Sequence, residues 1–136
     1  MTMARWLVAC IAASLFAAPA AAVPDADPII GIWRNPHGTI DVQTMACARR
    51  LCGIIVRASP QAVADARESG VDRLIGLQLL NDYRRTASGN WVGRVYVPDM
   101  GRSFSSHIEL TEPNVLRISG CLIGGFFCKS QLWKRL

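Results

Sequence analysis

The side chains of this chain that could do chemistry are few, and their spacing limits what that chemistry can be. Four cysteines stand in two close pairs, Cys47 with Cys52 and Cys121 with Cys128, and a fifth, Cys10, lies near the N-terminus. Cys-x4-Cys and Cys-x6-Cys are wide of the usual structural-zinc spacing, and no Cys-x-x-Cys redox motif is present. Pairing by nearness, Cys47–Cys52 and Cys121–Cys128, is the expected disulfide connectivity, with a zinc site as the competing reading. His37 falls in a turn and His107 on the polar face of a strand, so the two do not suggest a shared metal site. Ser105, His107 and Glu109 alternate along one strand and share a face. That row is the sharpest hydrolase arrangement the chain offers, and it is also how any solvated strand face reads. Ser103, Ser105 and Ser106 surround Phe104, but no Gly-x-Ser-x-Gly elbow exists. Asp41, Asp99, Glu109 and Glu112 carry carboxylates that nothing in the sequence pairs across a cleft. No Gly-rich phosphate loop follows a strand and opens a helix. The expected class is therefore not an enzyme: no catalytic residue, no metal and no cofactor is assigned.

The N-terminal residues read as an address. Arg5 gives a short positive region, Trp6 to Ala18 is an apolar run, and Ala20-Ala21-Ala22 is a small-residue cleavage site. The run is short of the about 20 residues a membrane span needs. Leu7-Val8-Ala9-Cys10 resembles a lipoprotein box, but the apolar run continues well past Cys10. Residues 1–22 are thus expected to be a signal peptide, leaving 23–136 as a single mature domain. The expected setting is periplasmic or secreted, which also suits an even count of cysteines. Without Arg5 the chain carries 14 basic and 10 acidic residues, a net +4, with the basic residues scattered. Nucleic-acid binders concentrate such charge on one face, so that class is set aside. No second long apolar run follows, so no transmembrane segment is expected in the mature chain.

The elements that must position these residues read mainly as short strands. Gly31–Arg34 starts the fold, and Asn35-Pro36-His37-Gly38 is a turn. Thr39 to Thr44 alternates apolar and polar, and Cys47 closes that strand. Ala48-Arg49-Arg50-Leu51 is expected to turn the chain, setting Cys47 and Cys52 opposite one another as Cys52–Arg57 returns. Ser59 as N-cap, Pro60 at the first helical position and Gly70 as a stop bracket one short helix over an end or side of the sheet. Arg73–Tyr83 is expected to be a strand with Gly76 as a bulge, although its leucines also fit a buried helix. Turns at 86–90, Pro98-Asp99-Met100-Gly101 and Glu112-Pro113-Asn114 separate the strands Trp91–Val97, Ser103–Leu110 and Val115–Cys121. Phe126–Arg135 is the last strand, reached through Gly124-Gly125, with Cys121 and Cys128 opposed about 5.5 Å apart. About eight strands joined by tight turns argue a small antiparallel barrel or sandwich.

Several motifs recur in a telling order. Gly31-x-Trp33, Leu51-Cys52-Gly53-x-Ile55-Val56 and Leu74-Ile75-Gly76-Leu77 come first. Trp91-x-Gly93-x-Val95-Tyr96-x-Pro98-x-x-Gly101-x-x-Phe104 follows, then Leu116-Arg117-Ile118-x-Gly120-Cys121 and Gln131-x-Trp133-x-Arg135. The chain resembles domain-of-unknown-function family 2147, small exported bacterial proteins. The resemblance implies a lipocalin-like β-barrel and a periplasmic setting, with no established activity. The chain departs from the family at Ser59–Val71, where only Asp65 and Arg73 match a longer polar loop of its relatives.

In barrels of that kind a Gly-x-Trp on the first strand commonly packs under an Arg of the last. Gly31, Trp33, Trp133 and Arg135 are accordingly the expected closure residues, with Arg135 held over an indole face. A barrel of about eight strands is just wide enough to be filled or to hold one small ligand. Trp91, Gly93, Phe104 and Ser106 are the candidate ligand-facing residues. Three functions follow. The first is a periplasmic binding module for a small apolar or amphipathic ligand. The second is a structural or protein-interaction role in the cell envelope, with a filled core and an envelope protein as partner. The third is a hydrolase using Ser105, His107 and Glu109. An interior cavity of at least about 300 Å³ separates the first from the second.

Overall fold

The computed structural model describes residues 27–121 and 128–136. The elements are β1 (Gly31–Arg34), β2 (Ile40–Cys47), β3 (Arg50–Ala58), α1 (Pro60–Glu68), β4 (Gln78–Arg85), β5 (Trp91–Val97), β6 (Arg102–Glu112), β7 (Val115–Cys121) and β8 (Cys128–Arg135). Each strand pairs antiparallel with the next, and β8 returns to β1 to close a barrel. Alternation sets the inner face. Along β6, Phe104, Ser106 and Ile108 are buried while Ser103, Ser105 and His107 are exposed, the period of a strand with one face on a core.

The strands alternate in direction, so the connections fall at two ends. The β2–β3, β4–β5 and β6–β7 turns lie at one end. The β1–β2 turn, α1, the β5–β6 turn and the start of β8 lie at the other. Helix α1 begins where the sequence implies: the Ser59 hydroxyl accepts from the Ala62 amide at 3.1 Å, and Pro60 occupies the first position, where its missing N–H costs nothing. It ends in a Schellman arrangement. Gly70, at a φ of +85°, donates to the Arg67 carbonyl, and Val71 donates back to Ala66. Ala66 is buried, and Ala62 and Val63 pack beside the core, so the helix lies across the second end of the barrel.

The disulfides join Cys47 to Cys52 and Cys121 to Cys128, the connectivity that nearness implies. Cys121 stands directly opposite Cys128 in register, with Cα atoms 4.0 Å apart, closer than the expected spacing. Three expectations need correction. The β2–β3 turn is only Ala48-Arg49, with Ala48 at a φ of 55°. Cys47 therefore faces Arg50, Cys52 faces Met45, and the bridge runs diagonally with Cα atoms 5.9 Å apart. Arg73–Leu77 is not strand. Leu77 donates back to the Leu74 carbonyl, Gly76 donates to the Ile55 carbonyl, and Gly76 takes a φ of +89°, so the apolar run is a tight turn docked on β3. Strand β4 starts only at Gln78 and runs on through Arg85. The expected leader at 1–22, its cleavage after Ala22, and the Gly124-Gly125 turn lie outside the described residues.

Candidate functional site

The first end of the barrel is solid. Trp33 is wholly buried and stands in register with Arg135 across the β1–β8 seam. The Arg135 guanidinium lies 4.2 Å from the centroid of the Trp33 ring. It also donates to the carbonyls of Ile30 at 3.0 Å, Pro113 at 3.2 Å, and Pro28. One side chain thus ties the lead-in to β1, the β6–β7 turn and the indole together. Gly31 is glycine for room: a β-carbon there would run into the Arg135 guanidinium. The Trp33 indole N–H donates to the Ile29 carbonyl at 3.0 Å, with Thr44 Oγ1 at 3.2 Å, so the buried ring has its polar partner. Asp27 accepts from the Ile29 amide at 3.0 Å and from Arg85 at 2.9 Å, and Arg85 in turn lies 5.4 Å from the Trp91 ring centroid.

The second half is hollow. A cavity of about 710 Å³ opens toward α1 and the β5–β6 turn. Its apolar wall is Ile40, Leu74, Leu79, Val95, Phe104, Ile118 and Trp133. Its polar rim comes from Asn35, His37 and Thr39 of the β1–β2 turn, Asp65 of α1, Asp99 of the β5–β6 turn, and Lys129 and Gln131 of β8. The tight turn at Leu74–Leu77 explains how the helix connection contributes: it delivers the buried Leu74 into this wall. The Ser69 hydroxyl donates to the Asp99 carbonyl, so the C-terminus of α1 is tied to the β5–β6 turn on the same rim.

The wall has one short side. β1 pairs with β8 only at Trp33–Arg135 and Arg34–Lys134, because the chain leaves β1 for the Asn35–Gly38 turn directly afterwards. Among the described residues, Cys128–Leu132 of β8 therefore has β7 on one side and no strand on the other. Lys129 and Gln131 stand opposite the inward positions Gly120 and Ile118, yet both are exposed. The Asp41 carboxylate braces this corner from outside, accepting from Arg34 at 2.7 and 2.8 Å and from Arg57 at 2.6 and 3.1 Å. Those hydrogen bonds, Arg34 foremost, hold its carboxyl well below the usual range against the effect of burial.

The candidate ligand-facing residues separate. Phe104 lines the cavity. Trp91 sits in the solid half beneath Arg85. Gly93 leaves no space, because the Tyr83 ring fills its notch: a β-carbon there would lie 2.6 Å from Tyr83 Cγ. Ser106 is buried beside Gly93 and does not reach the cavity. Trp133, expected at the closure, is instead the cavity residue of β8 nearest the closed end, its indole N–H given to Gln131 Oε1 at 2.9 Å. Ser105, His107 and Glu109 lie on the outer face of β6, where Glu109 is taken up by Arg117 at 3.4 Å. His37 is on the rim, far in type of site from His107. Gly120, Lys129 and Gln131 were missed, although the Cys121–Cys128 hairpin itself sets Gly120 opposite Lys129 and Ile118 opposite Gln131.

A closed eight-stranded antiparallel barrel, plugged at one end by an Arg over a Trp and hollow at the other, defines a lipocalin-like barrel. The solved structure of HP1028 from Helicobacter pylori, described as belonging to the lipocalin family, is similar. The two share a TM-score of 0.57 at 13% identity, over 79% of this chain and 82% of that one. No curated protein matches the chain. The family described as "Uncharacterized protein conserved in bacteria (DUF2147)" matches residues 31–135, and the chain belongs to it.

Proposed function

We propose that the protein is an exported binding module that holds one small apolar or amphipathic ligand in the hollow half of its barrel. The observation that carries this reading is the cavity of about 710 Å³ with an apolar wall and a polar rim. Its size falls within the about 300–1,000 Å³ of small-molecule sites. Burial of apolar ligand surface against Trp133, Phe104 and Ile118 supplies the affinity, at about 25 cal/mol per Å². Rim groups fix the orientation. Export is supported by the leader-like pattern of residues 1–22 and by the two disulfides, bonds that form and persist outside the reducing cytosol. The lipocalin-like fold supports binding over catalysis, and the Ser105–His107–Glu109 row lies on the outer face of β6, away from the cavity.

Native mass spectrometry of the full chain expressed with its leader and purified from the periplasm tests the reading. The expected result is a mature mass with four fewer hydrogens than the reduced form, plus a small adduct lost on denaturation. A bare mass, together with no uptake of any apolar probe, would favour the envelope-partner role instead.

A further inference from the structure

We propose that the ligand is an anionic amphiphile whose headgroup is held by Lys129 and Gln131 in the gap that β1 leaves beside β8. This rests on the binding-module reading and names the chemical class it takes. Three observations converge. First, Lys129 lines the cavity, and its ammonium has no acidic partner among the described residues. Second, Gln131 is oriented from within: its Oε1 accepts from the Trp133 indole, which leaves the amide N–H groups as its free polar end on the same wall. Third, the described residues leave space beside them. Gly120 stands in register with Lys129, and among the described residues a β-carbon there would touch only Val95 Cγ1, at an ordinary 3.6 Å.

The polar groups offered at this wall are mainly donors: an ammonium with three N–H groups and an amide NH2 whose own oxygen already accepts from Trp133. A carboxylate or sulfate presents only acceptors and matches it, and charge-assisted bonds are the strong ones. Below this point the wall turns apolar through Trp133, Ile118 and Phe104, which suits an alkyl or aryl tail. The acids of the rim, Asp65 on α1 and Asp99 on the β5–β6 turn, come from elements other than β8, and the Asp65 carboxylate already accepts from Gln61 at 2.7 Å. They favour placing the anionic end against Lys129 and Gln131 and away from the acids of α1 and the β5–β6 turn.

The test uses three probes of one chain length, each below its micellar concentration: dodecanoate, dodecanol and dodecyltrimethylammonium. Binding to the disulfide-intact mature chain is read by isothermal calorimetry and by tryptophan fluorescence. Dodecanoate is expected to bind about fivefold to tenfold more tightly than dodecanol, a preference that narrows with added salt. Lys129→Gln is expected to lower dodecanoate affinity about fivefold to tenfold and dodecanol affinity by much less, so that the preference is lost, and because Lys129 is exposed the variant keeps its fold. Equal binding of dodecanoate and dodecanol, or tighter binding of the cationic probe, overturns the anionic class and leaves the binding module standing. No binding by any of the three overturns both.

Discussion

Gly93 and Gly120 flank Ser106 in one register row across β5, β6 and β7, and they belong to opposite halves of the barrel. At Gly93 the missing side chain has been replaced by another residue's: the Tyr83 ring occupies the notch. At Gly120 no described side chain has taken the place, and the cavity reaches in. Strand number, direction and alternation are common to both halves. What differs is which inward positions carry Trp33, Tyr83 and Trp91, and where a strand stops short. The solid half is held by packing and by backbone carbonyls gathered around Arg135. The hollow half keeps buried Leu74, Leu79, Ile118 and Trp133 around its cavity and adds a disulfide at its rim, the Asp41 clamp and the docked helix.

The largest expected effect follows from that division. Trp33→Ala removes a wholly buried indole and the surface on which Arg135 rests. It is expected to cost about 3–5 kcal/mol in urea unfolding, whereas Phe104→Ala on the cavity wall costs less because its surroundings already include empty space. Equal losses at the two sites would mean that the halves do not differ in packing.

The two glycines sharpen the comparison. Gly93→Ala places a β-carbon 2.8 Å from the Asn81 carbonyl oxygen and 2.8 Å from Tyr83 Cα, both backbone atoms that cannot swing aside. Overpacking of this kind costs about 1–3 kcal/mol. Among the described residues Gly120→Ala meets only a side-chain methyl at 3.6 Å, and it is expected to stay within about 0.5 kcal/mol of the parent. Calorimetric Tm values of the two variants settle it, and a Gly120→Ala loss as large as that of Gly93→Ala breaks the assignment of Gly120 to open space.

Much of this was legible in the residues. The strand count, the helix between Ser59 and Gly70 and the disulfide pairs rest on local patterns of alternation, caps and spacing, whereas the meeting of Trp33 with Arg135 was legible only through the resemblance to barrels that close in this way. The Leu74–Leu77 turn was not legible, because a run of leucines with one glycine has the same composition whether it extends or folds back. Its conformation is decided by the Ile55 backbone, which lies far away in sequence. The cavity wall was misread for a related reason. Gly93 and Gly120 look alike in the chain, and only the reach of Tyr83, from a strand whose register shifts between Asn81 and Arg84, tells them apart.

A smaller effect tests how the hollow half is braced. Asp41→Asn leaves Arg34 and Arg57 without their shared carboxylate and is expected to cost about 1–2 kcal/mol near neutral pH. Because the folded carboxyl is held below its unfolded value, its contribution is complete above about pH 4 and is lost as the pH falls further. The gap between parent and Asp41→Asn in urea midpoint should therefore be full at about pH 7 and shrink toward about pH 3. A gap that does not change with pH would locate the effect of the substitution in packing and remove the charge from the brace.

The smallest effect lies on the boundary between the halves. Tyr83 is wholly buried, and burial pushes its phenol above the ordinary value, with the Ser106 hydroxyl pulling the other way. Ser106 stands near enough to oppose the shift, yet neither hydroxyl has a partner of hydrogen-bond geometry among the described residues. A buried hydroxyl without a partner carries its desolvation cost and returns nothing. Tyr83→Phe keeps the ring that fills the Gly93 notch and removes only that cost. The variant should match the parent in stability or exceed it by up to about 1 kcal/mol. A loss of that size would show instead that the phenol is hydrogen-bonded to something held within the barrel, which would move the polar edge of the cavity inward past Gly120 and make Tyr83 a part of the site.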